Sequence, residues 1–452
     1  MRSTTTVRSS CSVTVRTSCS TKPANNTKPS TPPAPTKPAP GKGHCHGGSH
    51  FDPKPSKPST PPTPSTPSTP GIPSSPVPTS PVPTSPQAQQ ALSKMDALLN
   101  EATDGKRGNG AAITHNAADV EKSSNTNPKS ERYKAAQAQV QANAQLESQS
   151  LSRLSSGEQQ RYASVKNALT QANNPVAALA LQKLLVGGRL DSGLDFANQG
   201  SVLQHLQAIA QGQDLDPRVD KTTLLTDLVQ ELATPSVINQ GGRGTCAPTA
   251  LSIELNLERP AEYARLMRGV ASPSGQVKLA NGQVLTREQD TSFKDDHSSR
   301  ALTQRLLAPV LMEVANGTRD YRDSASKENR NAGATGGGLD KLYDALFNRD
   351  MATSYGQSAE WKKNTGMAII ERELQQGQNI LAGIRYGDSG GHKLLVTGME
   401  TVKGQQYVKY INPWGAEERM SKADFQARLF DVNYDPLTPA KLAAQQRVFL
   451  AA

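Results

Sequence analysis

The chain has four cysteines, and one of them, Cys246, stands where a thiol can become a nucleophile. A thiol attacks as the thiolate, a form favoured at the positive end of a helix. The residues around it read Gln240-Gly241-Gly242-Arg243-Gly244-Thr245-Cys246-Ala247-Pro248. Such a Gly-rich run does not continue a helix, Thr245 suits an N-cap, and Pro248 is tolerated only in a first turn. The pattern predicts a helix that starts at Cys246 and runs to Leu257. Two further polar groups lie far downstream: His392, which follows Gly391 and heads an apolar strand, and Asn412, in Asn412-Pro413-Trp414-Gly415. A thiol nucleophile needs a base, the base needs a group that orients it, and the developing oxyanion needs two donors on one oxygen. His392 and Asn412 can supply the first two. A short loop that returns to the helix start can bring the Gln240 amide beside the Cys246 N–H for the third.

These residues, in the order Gln240-x5-Cys246, Gly391-His392 and Asn412-Pro413-Trp414-Gly415, resemble the papain-like cysteine peptidase superfamily. The Gly-His followed by Asn-Pro-Trp-Gly resembles its calpain branch. The resemblance runs from about Ile238 to Ala452. It implies a papain-like fold, a helical half facing an antiparallel β half. It also implies Cys246 as nucleophile, His392 as base, Asn412 as the orienting amide, and Gln240 with the Cys246 N–H as the oxyanion hole. Trp414 would then shield the His–Asn pair, with Gly391 beside the base. The interval of 146 residues from Cys246 to His392 lies in the range of roughly 130–150 usual for such enzymes. Ala247 and Lys393 stand where relatives carry Trp after the Cys and a small or aromatic residue after the His. Lys393 is expected to point to the opposite strand face from His392. No acidic calcium loop is legible, and neither cofactor nor metal is expected.

A rival lies in the same stretch. Gly387-Asp388-Ser389-Gly390-Gly391 spells the signature around the nucleophile of trypsin-like serine peptidases. That chemistry works inside a double β-barrel with His and Asp upstream. Here the upstream half reads as helical, and its one His, His297, sits in the polar run Asp295-Asp296-His297-Ser298-Ser299. Ser389 is therefore expected as a turn residue. Gly333–Gly338 lacks the Gly-Lys-Ser/Thr of a phosphate loop and reads as a surface loop.

The elements that must position these groups form three segments. Residues 1–86 are rich in Pro, Ser and Thr, with nine basic residues against the single acid Asp52, so most of the formal charge of +10 lies there. Such composition cannot bury enough apolar surface to order itself, and it favours extended polyproline conformations. The basic pI is thus a property of an arm, and with Phe51 as its one aromatic the arm offers no stacking platform for nucleic acid. Its prolines suit a Pro-motif-reading partner, and His44, Cys45, His46 and His50 are too closely spaced in a flexible tail for a closed metal site. Residues 87–233 read as helices. Ser155 and Glu158 form a capping box, Pro175 starts a helix stopped by Gly187-Gly188, and Leu224, Leu225, Leu228 and Leu232 share one side of another. This region would either cover the cleft before activation or recognise a partner. Residues 234–452 read as helices over Pro260–Val270, Arg300–Val314, Leu339–Phe347 and Met367–Leu374, with a hairpin about Asn281-Gly282. The strands Asn379–Tyr386, His392–Thr397 and Gln406–Ile411 complete an α+β arrangement.

No apolar run approaches a membrane span, and the N-terminus has no apolar core of a secretory signal. The expectation is a cytoplasmic protein, or one secreted by a route independent of a signal peptide, whose partner is a protein or peptide substrate. Two alternatives stand beside the peptidase: a deamidase, transglutaminase or other amidase on the same fold, and an inactive binding or adaptor protein.

Overall fold

The computed structural model describes residues 85–100, 125–191, 193–197, 199–317, 319–323, 333–386 and 390–436. Residues 1–84 of the Pro-rich arm, with Cys11, Cys19 and Cys45, and the turn residue Ser389 lie outside them. All the described residues fall in one compact unit.

Among the described residues the helices that come first are α1 (Pro86–Asn100), α2 (Glu131–Ala142), α3 (Ala144–Leu151), α4 (Ser156–Gln171), α5 (Pro175–Val186), α6 (Val202–Gln211) and α7 (Lys221–Ala233). Their starts are written locally. Ser155 and Glu158 close the capping box of α4, Asn174 caps α5 ahead of Pro175, and Asp220 caps α7. Gly188, at φ 68°, makes the left-handed turn that ends α5.

The second half begins with α8 (Cys246–Glu258), α9 (Pro260–Val270), a hairpin of β1 (Gln276–Lys278) and β2 (Val284–Thr286), α10 (Leu302–Asn316) and α11 (Gly336–Phe347). Gly282 takes the left-handed conformation in the hairpin, as expected from Asn-Gly. Gly336–Gly338 depart from the surface loop read from the sequence. Thr335 Oγ1 accepts the Gly338 N–H and caps α11, so these glycines form its first turn. The Gly338 Cα also lies so near the Ala315 carbonyl that a Cβ there would sit 2.2 Å from it, which makes the run a packing feature.

A six-stranded antiparallel sheet follows, made of β3 (Ala352–Tyr355), β4 (Ile380–Arg385), β5 (Gly391–Val402), β6 (Gln405–Asn412), β7 (Ala416–Ser421) and β8 (Leu429–Tyr434), in the order β3-β8-β4-β5-β6-β7. The class is thus α+β with an antiparallel sheet. The stretch His392–Val396 of β5 is buried on both faces. Leu395 joins Leu381 and Ile411 in the large core that also holds Leu251 of α8 and Leu181, Leu184, Leu228 and Leu232 of the N-terminal helices. Leu394 and Val396 face the other way, into a smaller core with Met367 and Ile370 of α12 (Met367–Gln375) and Phe425 of α13 (Lys422–Arg428). Helix α8 therefore packs on one sheet face and α12 and α13 on the other.

One continuous core spans the boundary at residue 233. Buried Glu231 of α7 accepts from Tyr263 Oη of α9 (2.7 Å) and Thr303 Oγ1 of α10 (2.7 Å), and burial pushes its carboxyl up to about 7. Asp227 takes the Leu302 N–H at 2.7 Å, at the start of a helix whose own N-cap position, Ala301, has no side-chain acceptor. Among the described residues no helix is long and apolar enough to cross a membrane.

Candidate active site

Helix α8 starts at Cys246, with the thiol in its first turn. Cys246 is half-buried. Thr245 occupies the N-cap position, at φ, ψ of −104°, 24°, but does not cap: its side chain accepts from no helix N–H, and the fully buried Oγ1 has no partner. The sequence-based expectation for Thr245 is corrected to that extent. The backbone N–H groups of Lys393, across on β5, of Ala247 and of Cys246 itself favour the charged form of the thiol. Burial raises its pKa and dominates; the three N–H groups and the Lys393 charge act in the opposite sense.

Lys393 is the residue next to His392, and α8 packs on the strand that both residues head. The alternation along that strand sends the two side chains apart, as expected. Lys393 Nζ turns to Asp431 Oδ1 (2.5 Å) and Asn433 Oδ1 (2.8 Å). His392 is 5% exposed, and its Nε2 lies 2.8 Å from Asn412 Oδ1. Burial pulls its pKa below the ordinary value, outweighing the Asn412 hydrogen bond and the charge of Glu418, which raise it.

The Asn-Pro-Trp-Gly run is a three-residue turn between β6 and β7. Gly415, at φ 82°, donates to the Asn412 carbonyl at 3.0 Å. Pro413 presets the turn, and Gly supplies the left-handed residue that closes it. Trp414 then stacks on the His392 ring, centroids 4.2 Å apart and planes at 23°. Tyr386, at the end of β4, meets both rings edge-on, 5.5 Å from His392 and 4.8 Å from Trp414.

The Gln240 loop is strapped to this turn. Gln240 N–H donates to the Pro413 carbonyl (2.7 Å), and Asn239 bridges Trp414. Gln240 is buried. Its Nε2 donates to Arg243 O (2.6 Å), which leaves a second N–H on that nitrogen, and its Oε1 has no partner. On the other side, Gly242 N–H donates to Ser298 O (2.8 Å). Gly241, at φ 58°, lies so close that a Cβ there would sit 1.9 Å from the same oxygen. Ser298 is anchored in turn by Arg300, which is fully buried: Nε donates to Ser298 Oγ, and the guanidinium pairs with Asp296 and Asp323. Burial pushes the Asp296 carboxyl up, but Ser298 and Arg300 outweigh it and hold it well below the carboxylate range.

All the candidate residues, Gln240, Cys246, Gly391, His392, Asn412 and Trp414, gather at the junction of α8, the head of β5 and the β6–β7 turn. His297 is exposed, at φ 56°, in the loop behind the Gln240 segment. Sequence reasoning did not reach Tyr386, Glu418 or the Arg300 cluster. Among the described residues no cluster of His, Cys, Asp and Glu is arranged to hold a metal ion. Comparisons with protein families, with curated proteins and with solved structures found no match.

Proposed function

We propose that the chain is a papain-like cysteine peptidase whose catalytic part, residues 234–452, cleaves peptide bonds through Cys246, His392 and Asn412. The observation that carries this is the junction itself: a thiol in the first turn of the helix packed on β5, whose head carries His392, with the imidazole held by Asn412 under Trp414.

Burial acts against the charged form of both the thiol and the imidazole. Nucleophile formation is then a proton transfer from Sγ to the imidazole as the sulfur attacks the carbonyl carbon. The Asn412 amide supports the resulting imidazolium, which returns the proton to the leaving amine. The Cys246 N–H, one of the first-turn groups without an intrahelical acceptor, and the second Gln240 N–H receive the oxyanion. Water then releases the acyl group from sulfur, with His392 again as base. Trp414 and Tyr386 keep bulk water from the His–Asn hydrogen bond.

The test is labelling with an epoxysuccinyl probe followed by peptide mapping. Selective modification of Cys246, abolished in His392→Ala, is the expected result. Labelling of Cys246 no faster than Cys11, Cys19 and Cys45 would overturn the proposal.

A further inference from the structure

Glu418 lies on β7 opposite Tyr410 in the β6–β7 ladder, two places beyond the Asn412–Ala416 pair and on the same face as Asn412. It is 6% exposed, whereas its neighbour Glu417 is exposed. Glu418 Oε1 accepts from Asn412 Nδ2 at 3.2 Å, and Oε2 accepts from Tyr410 Oη at 3.0 Å.

A primary amide can be turned over without changing its shape, so its partners decide which end faces the imidazole. At Asn412 they agree. The Trp414 N–H points at Oδ1 (3.2 Å), and the carboxylate of Glu418 demands the NH2 end. The reverse orientation would set the amide oxygen against the carboxylate and the NH2 against the Trp414 N–H. With Oδ1 toward it, His392 Nε2 must be the protonated nitrogen, and Nδ1 keeps its lone pair.

We propose that Glu418 is a positioning residue for His392: it locks the Asn412 amide so that the imidazole is held as the Nε2–H tautomer with a basic Nδ1, and it supplies the negative charge behind the imidazolium. This rests on the reading of His392 as the base. The titratable groups that act on the ring are Tyr386 at the end of β4, which meets it edge-on, and Glu418 of β7, with Cys246 of α8 taken as its thiol partner under the proposed function. Lys393 is turned away to Asp431, and Arg428 of α13 acts on Tyr386 and Tyr410 in the sense opposite to Glu418.

The experiment follows the His392 ring nitrogens by NMR in the full chain carrying Cys246→Ala, which uncouples the imidazole from the thiol. The neutral ring is expected as the Nε2–H tautomer. Glu418→Gln keeps the shape and an acceptor for Asn412 but removes the charge, and it should lower the imidazole titration midpoint by about half a unit or more. Glu417→Gln, the same charge lost one residue away on the exposed face, should leave it in place. An Nδ1–H tautomer, or a midpoint that Glu418→Gln does not move, overturns the proposal. Should Glu418→Gln not fold, Glu418→Asp, which keeps the charge and withdraws it from the Asn412 amide, replaces it, and an Nδ1–H tautomer with Glu418 intact still overturns the proposal. These readouts need no peptidase turnover. A failure of Cys246 to label would sink the thiol-hydrolase reading and leave this result standing.

Discussion

At the scale of the residue, the opposed shifts of Cys246 and His392 have one cause: both are taken out of water at the foot of α8, and burial disfavours whichever form is charged. For His392 the folded value lies below the unfolded value of about 6.5, so the unfolded chain binds the proton first. Its contribution to stability is therefore complete above pH 6.5 and is lost as the pH falls through the depressed value. Each unit of depression is worth about 1.4 kcal/mol. Urea unfolding at about pH 8 and pH 5 should show that His392→Ala flattens this part of the acid loss relative to the unsubstituted chain. The candidate residues were legible because their types are unusual in context: a Cys after a Gly-rich run, a His heading a strand, an Asn before Pro-Trp-Gly. Glu418 was not. In Ala416-Glu417-Glu418-Arg419 the composition alone does not say which glutamate faces inward. Only the register of the three-residue turn, which carries the inward face of Asn412 to Ala416 and then Glu418, selects it.

At the scale of the element, two short loops set the site. The β6–β7 turn places Trp414 over His392, and the Gln240–Thr245 loop is clamped between Pro413 on one side and Ser298 on the other. Gly241 is the tightest point of the clamp. Gly241→Ala should cost about 2 kcal/mol or more, through a left-handed φ and the collision with Ser298 O, since strained φ costs ~1–3 kcal/mol before any clash. Displacement of Gln240 and the Cys246 N–H should slow probe labelling of Cys246 at least tenfold, which mass spectrometry against time would measure. The loop's glycines announced a turn. The residue that forbids a side chain there, Ser298, is held by the Arg300–Asp296–Asp323 cluster, more than fifty residues on, and no local pattern links the two.

At the scale of the whole molecule, helices α1–α7 and the thiol helix share one core. Leu181, Leu184, Leu228 and Leu232 are fully buried in the same cluster as Ala250, Leu251 and Leu255 of α8. Glu231 and Asp227 stitch α7 to α9 and α10. A segment bound in this way is a part of the scaffold. Expressed alone, residues 234–452 should fail to give a cooperative thermal transition, because a fully buried leucine removed from its neighbours loses about 2–5 kcal/mol and several are exposed at once. Circular dichroism melting and gel filtration of that fragment would check it; a folded monomeric fragment that labels at Cys246 would show the helices to be dispensable.

The sequence by itself determined the class of elements and most of their ends. Capping boxes, an N1 proline and αL glycines act within one or two turns, and the 3.6 and 2.0 periodicities say which face is apolar. It also determined which side chains were candidates for chemistry. Tertiary structure alone decided that helices on both sides of residue 233 make one core, and that the thiol helix packs on β5, whose head carries His392. It alone decided that Glu418 faces the Asn412 amide and that Arg300 lies behind the Gln240 loop. Those facts depend on strand register and on charges paired across long stretches of chain, and burial of an ion pair or an amide is specified by its partners rather than by its neighbours in sequence.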